Sequence, residues 1–423
     1  MSSIVKGLIL SMLALAALAA LAGTAHAESE RPAPRWHEHD TLTGGGFGAF
    51  EKLEEHGVKL TLGLTQIYQR NLRGGMRADR DADDYSGSYD IEVDLDSERL
   101  VGLAGGLLHF QAKGGWSDGV DPRSVGSLFG VNADAFGDRP LIVAQLYWEQ
   151  ALLSDMLTVR LGKIDLTGGF ECHGCPVSFD GNTYANDETL QFLNGAFVNN
   201  PTIPFPAQGL GAVVFIQPAE TWYVSFGAAD ARAREGTSGV STAFHGRADY
   251  LFIAEAGCAP KFQRAGRPLP GAYRVGVWHD LRRKPELDGD GRAFAGPGLY
   301  ISADQKVWNE KDSDSQGLGL FGRYGVAPAS VNEIKSFWSL GAQYEGLLPR
   351  RDADILGLGV AQGRVSAAAG HSARHETAVE MYYSFRLTPW LFVAPDIQYI
   401  INPGAERGPD NAIVAGLRVQ MTL

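Results

Sequence analysis

Cysteine is scarce: the chain carries 3 in 423 residues, so no disulfide framework organises the fold. Long apolar runs are scarce as well. The mean hydropathy is -0.12, and the one stretch near the ~20 apolar residues of a membrane-crossing helix lies at the extreme N-terminus. A bundle of membrane helices is thereby excluded. Positive charge is in deficit, with 37 Lys and Arg against 49 Asp and Glu and a net charge of -12, which argues against nucleic acid as a partner. Two motifs of catalysis are missing too: there is no His-Glu-x-x-His and no phosphate-binding loop. Aromatic residues, in contrast, are plentiful at 20 Phe, 14 Tyr and 8 Trp, with 44% hydrophobic residues in all. That content excludes disorder.

The N-terminal apolar stretch reads as an export signal. Lys6 is its positive end, Gly7 to Leu21 its apolar core, and Ala25-His26-Ala27 a small-residue cleavage site. Residues 1–27 are therefore expected to be a signal peptide, whose removal leaves a net charge of -13. Residues 28–56 are expected to form an N-terminal arm with a short helix over Gly46–His56, where Phe47, Phe50 and Leu53 recur at helical spacing.

From residue 57 to 423 the dominant period is two. Tyr89, Ile91, Val93 and Leu95 alternate with Asp90, Glu92, Asp94 and Asp96. Val379, Met381, Tyr383 and Phe385 alternate with Glu380, Tyr382, Ser384 and Arg386. In the last segment Ile413, Ala415, Leu417, Val419 and Met421 oppose Arg418, Gln420 and Thr422. Strands of about ten residues with one apolar and one charged face suit a wall between lipid and water. The pattern predicts strands near 57–69, 88–96, 106–114, 140–150, 157–163, 210–217, 221–229 and 245–256. It continues with 271–279, 297–308, 317–325, 336–345, 354–363, 375–387, 390–401 and 411–423. The expected fold is all-β, a transmembrane antiparallel barrel of about sixteen strands. Connections after odd strands are mostly long and those after even strands mostly short, as outer-membrane barrels require. Tyr68, Trp148, Trp308, Trp338, Tyr344, Trp390 and Tyr399 sit near strand ends, where interfacial girdles are found.

Several ordered segments resemble the carbohydrate-selective outer-membrane porin family, the OprB porins. They include Leu53-Glu54-Glu55-His56-Gly57-Val58, Leu161-Gly162-Lys163-Ile164-Asp165, Asn200-Pro201 with Gly209-Leu210-Gly211-Ala212, and Phe321-Gly322-Arg323. The longest is Leu387-Thr388-Pro389-Trp390 followed by Pro395-Asp396-Ile397-Gln398-Tyr399-Ile400-Ile401-Asn402-Pro403. The resemblance implies a sixteen-stranded porin of the bacterial outer membrane that admits sugars, monosaccharides such as glucose especially, by passive diffusion. One departure is the chain end, Leu423 where such barrels commonly end in Phe.

Alternation places Arg160, Arg323, Glu376, Glu380 and Arg386 on the lumen face, and these are the expected pore-lining, sugar-contacting residues; a solvated, salt-bridged wall is the alternative. The segment 164–209 is the longest connection and is expected to fold inward. Within it Cys172 and Cys175 are spaced for a local disulfide, as an exported chain favours. Two Cys and the intervening His173 are too few ligands for a metal site, and no cofactor is called for. Expected partners are small sugars in transit, outer-membrane lipid and lipopolysaccharide, with homotrimer and monomer both compatible. The competing reading is a general or cation-preferring porin, motivated by the acidic balance. An exported glycosidase fails on geometry: Glu376 and Glu380, four residues apart in one strand, are roughly 13 Å apart, too far for a catalytic pair. The expected outcome of the two-solvent pattern is heat-modifiable migration: an unboiled sample in detergent runs apart from the boiled one on a gel, and identical migration refutes the barrel.

Overall fold

The computed structural model describes residues 38–167, 179–239, 241–244, 249–264, 267–289, 291–310 and 316–423. The expected signal peptide and the Cys172–Cys175 pair lie outside the described residues. Among those described, sixteen strands form one antiparallel ring. They are β1 (Val58–Gly75), β2 (Asp83–Asp96), β3 (Gly106–Trp116), β4 (Arg139–Leu152), β5 (Leu157–Ile164), β6 (Gly209–Ala219), β7 (Trp222–Asp230) and β8 (Tyr250–Cys258). The second half comprises β9 (Arg267–Asp280), β10 (Gly298–Asn309), β11 (Gly317–Val326), β12 (Ile334–Glu345), β13 (Ile355–Val365), β14 (His375–Thr388), β15 (Leu391–Ile401) and β16 (Asp410–Thr422). Each pairs with its chain neighbours, and β16 pairs with β1 from Gly63↔Thr422 to Gly75↔Asp410. That seam leaves no edge. In hydrocarbon an unpaired backbone group costs several kcal/mol, so closure is the condition for this wall to exist.

The alternation in sequence becomes an inside-out distribution. Leu161, Phe226, Val275, Ile301, Leu340, Leu358, Met381, Ile397 and Leu417 point outward and are exposed. Arg160, Glu255, Asp304, Arg323, Glu380, Asp396 and Arg418 are buried. A soluble domain would invert this; a barrel between lipid and a filled lumen requires it. Of the expected girdle residues, Tyr68, Trp308 and Tyr399 are exposed. Trp390 is the exception: it is buried, because it sits in the two-residue turn between β14 and β15, where its carbonyl accepts from Thr422 N at 3.0 Å.

Most strand ends match expectation within a few residues. The larger misses are at the external rim: β1 continues to Gly75 and β2 begins at Asp83, with Arg70↔Asp83 still in register. Apart from Leu72 and Tyr85, residues 70–75 and 83–87 are polar or Gly on both faces, so the ladder runs on after the regular apolar signal has stopped. The long turn after β8 is itself ordered, since Lys261–Arg264 pairs with Arg267–Pro270 and extends the hairpin. The N-terminal helix α1 (Gly44–Glu55) has left-handed dihedrals from Gly45 to Gly48. It is tied to the barrel by Leu42 N to Thr422 O at 2.8 Å and by Arg99 Nη1 to Glu54 O at 2.8 Å.

Leu340 lies mid-strand on the outward face at 56% exposure. Leu340→Arg is expected to cost about 2–4 kcal/mol in the bilayer midplane and to lower the amount of folded barrel in membrane fractions. Gln420→Arg, on the lumen face, is expected to leave that amount unchanged.

Candidate functional site: a lumen narrowed by two loops

Residues 179–208 of the connection between β5 and β6 fold into the barrel, as expected, and reach the opposite wall. Residues 180–183 grip β8 and β10. Asp180 N donates to Glu255 at 2.9 Å, Asn182 Nδ2 to Ala303 O at 3.1 Å, and Thr183 Oγ1 to Asp304 at 2.8 Å. Ser302 Oγ donates to Gly181 O at 2.8 Å. Tyr223 and Tyr300 hydroxyls complete the shell of Glu255 at 2.6 and 2.8 Å. Arg323 on β11 donates to Phe197 O at 2.6 Å and Ala185 O at 2.5 Å, and to Asn186 Oδ1. Its Nε lies 3.4 Å from Asp180 Oδ2. Burial pushes the Asp180 carboxyl up to about 7, beyond what the Arg323 guanidinium pulls back, with Glu255 adding to the rise.

Close approach is permitted by missing side chains. A Cβ at Gly319 would run into the ring of Tyr184, and one at Gly325 into the Thr202 hydroxyl. The apolar half of the loop seals against the wall. Phe192 and Phe197 stack at 4.5 Å between centroids and pack on Phe321 and Tyr382. Burying each such ring is worth about 1.5–3 kcal/mol.

A second inward segment was invisible in the sequence. The connection 117–138, between β3 and β4, packs Val120, Val125 and Val131 on Ala378, Ile400, Ala412 and Val414. Gln69 Nε2 and Gln398 Nε2 donate to Val131 O at 2.9 and 2.8 Å. The two inward loops bond to each other, Ala133 N to Leu193 O at 2.7 Å and Gly195 N to Gly130 O at 3.1 Å. Both are clamped by one strand. Glu380 on β14 accepts from Leu193 N at 2.6 Å and Asn194 N at 2.9 Å. Glu376, two pleat repeats away on the same face, accepts from Ser127 Oγ at 2.5 Å, Leu128 N at 2.9 Å and Gly404 N at 2.6 Å. Each loop thus has its own carboxylate. Where the loops meet, burial and the Glu188 charge push the Asp134 carboxyl up to about 8, against Ser88, Lys113 and Arg418.

Arg323, Glu376 and Glu380 accordingly face the lumen but lie beneath the loops. Arg160 forms an ion pair with Glu149 and lies 5.0 Å from the Tyr147 ring centroid. Tyr147 in turn stacks on His109 at 4.7 Å, and His109 Nδ1 is 2.7 Å from Asp94. Arg386 is exposed near the short-turn end, its guanidinium 5.7 Å from the Phe392 ring centroid. Lys163, on the outward face beside Leu161, curls up to donate to Val143 O and Thr237 O at 2.6 Å each, pinning the loop after β7. Among the described residues no cluster of His, Cys, Asp and Glu fits a metal ion, and Cys258 is a free, exposed thiol.

The lumen wall is uneven. Lumen-facing side chains of β8 to β15, among them Ile253, Trp278, Tyr300, Phe337, Ala361 and Gln398, are buried under the loops. On β1 to β4 and β16 the matching face is only partly covered: Gln69, Ser86, Gln111, Gln145 and Arg418 are buried, whereas Lys59, Thr61, Asp90, Glu92, Lys113 and Gln420 keep partial or full exposure, and the side chains of Asp94 and Glu149 are 30% and 20% exposed.

The model of the family described as "Carbohydrate-selective porin, OprB family" matches residues 80–423. Porin B of Pseudomonas aeruginosa is 25% identical over 451 residues, covering 97% of this chain and 96% of that protein. Porin AaxA of Chlamydia muridarum is 26% identical over 287 residues, covering 67% of this chain and 56% of that protein. The high-pH structure of Pseudomonas putida OprB superposes with a TM-score of 0.79 at 22% identity, over 92% of this chain and all of that one.

Removing the Glu380 carboxylate strands two buried backbone donors, each at a cost of about 1–3 kcal/mol. Glu380→Ala is therefore expected to raise single-channel conductance and open-state noise in planar bilayers while heat-modifiability persists. Glu380→Gln, which still accepts one of the two bonds, falls between. Conductance equal to the unmodified protein in both variants removes the clamp.

Proposed function

This chain belongs to the carbohydrate-selective porin, OprB family, and from that membership we propose that its sugars are small, monosaccharides such as glucose, passing along the β1–β4 and β16 side of the lumen. The protein is a channel of the bacterial outer membrane that passes carbohydrates by diffusion. In this reading it performs no chemical step on its cargo.

One contrast carries the choice of route: the half-exposed polar wall of β1 to β4, against a β8-to-β15 wall buried beneath inward loops. A sugar needs donors and acceptors at every side, with the charges of the wall paired. Asp90, Glu92 and Asp94 on β2 alternate down that wall, and Gln111 Nε2 caps Glu92 at 2.7 Å while His109 meets Asp94. Such paired groups exchange hydrogen bonds with hydroxyls without holding them tightly, as conduction demands. In this assignment buried Arg160 on β5 holds Glu149 of that wall, and Arg386 on β14 stands exposed near the short-turn end. Arg323, Glu376 and Glu380 act one step removed, as positioning residues that fix the loops and so the width of the opening.

The acidic β2 wall favours a second property, a modest preference for cations among small ions. It coexists with sugar passage and does not replace it.

Liposome swelling is expected to be faster with glucose than with uncharged solutes of similar size, and a sugar panel in planar bilayers is expected to reduce channel current. Equal swelling for all solutes of that size leaves a general diffusion porin. In a salt gradient the reversal potential is expected to carry the cationic sign, and Glu92→Gln to shift it toward zero.

A further inference from the structure

Three external loops on one side of the mouth meet at a single imidazole. His371 lies in the connection 366–374 between β13 and β14. Its Nε2 is 2.7 Å from Glu333 Oε1, in the connection 327–333 between β11 and β12. Its Nδ1 is 3.3 Å from Glu406 Oε1, in the connection 402–409 between β15 and β16. Both ring nitrogens therefore face carboxylate oxygens.

An ionised carboxylate only accepts hydrogen bonds, and a neutral imidazole has one N–H and one lone pair. In the neutral ring one nitrogen would oppose its carboxylate lone pair to lone pair. Only the imidazolium donates on both sides at once. The ring is 17% exposed, so water replaces these partners poorly. The Ser372 hydroxyl and amide, with His371, hold the Glu406 carboxyl below the usual carboxylate range, which keeps it an acceptor. Along the chain, the neighbouring charged or titratable residues are Arg374 and His375 after the histidine, Lys335 beyond Glu333, and Arg407 beyond Glu406.

The three loops are otherwise laced by backbone. Ala373 N donates to Ala405 O at 2.8 Å, Ser366 N to Glu333 O at 2.7 Å, and Arg407 N to Ser372 Oγ at 2.8 Å. The same 402–409 loop gives Gly404 N–H to Glu376, whose carboxylate also holds Ser127 and Leu128 of the inward segment 117–138. A change at His371 is thus three contacts from a segment that shapes the lumen.

We propose that His371 is a proton-operated clasp: charged, it ties the loops 327–333, 366–374 and 402–409 together through Glu333 and Glu406, and neutral, it releases one of them. The clasp is closed when both ring nitrogens carry a proton and loosened when only one does.

Amide hydrogen exchange of the full-length protein in detergent, from pH 5 to pH 8 and corrected for intrinsic exchange, tests this without reference to transport. Protection of peptides from 366–374 and 402–409 is expected to fall about fivefold across that range, a modest figure suited to half-exposed ion pairs. Peptides from 97–105, at the opposite end, are expected to stay level. His371→Gln is expected to give the loosened level at every pH, and His371→Arg, a permanent cation, the tightened level at every pH. A level wild-type profile overturns the proposal, as does a His371→Gln profile that keeps the wild-type slope.

Discussion

No backbone polar group at hydrocarbon depth can be left without a partner, and this one requirement shapes the protein twice. Outside, it closes the sheet, because an open edge at β1 or β16 would strand a row of amides in lipid. Inside, it governs the loops. A segment that leaves regular structure and enters the lumen gives up its own ladder, so wall side chains must take over its N–H and C=O groups. Glu376, Glu380, Gln69, Gln398 and Arg323 do this, one to three main-chain groups each.

The lumen consequently has two characters. On the β8-to-β15 side, apolar rings and buried carboxylates turn the loop surface and wall into something close to a protein core. Toward β1 to β4 the wall keeps contact with water. The channel is an off-centre gap left by packing rather than a uniform tube. Its polarity comes from wall residues that no loop covers.

Much of this was legible in the sequence. The alternation at Tyr89–Asp96 and Val379–Arg386 sets both the strand and its facing, since a slip of one residue would put Asp90 and Glu380 into lipid. Strand count, closure and the inward turn of the longest connection follow from the same pattern and from length. The roles of Glu376 and Glu380 were not legible. Period two says only that they face inward; their partners at 127–128 and 193–194 lie far away in an aperiodic stretch. The inward path of 117–138 was hidden for the same reason: Val120, Val125 and Val131 have no regular spacing, and their apolar partners on β14, β15 and β16 show only as small gaps in an alternating strand.

The clamp residues come late in the chain. Loops at 117–138 and 165–208 emerge from synthesis and translocation well before residues 376–398, which supply the carboxylates and the glutamine that seat them. Until the final hairpins arrive, the valines of 117–138 and the amides of Leu128, Leu193 and Asn194 lack the wall that seats them. The aperture is thus set at the close of biogenesis, and truncation near the carboxyl end would erase the filter together with the seam.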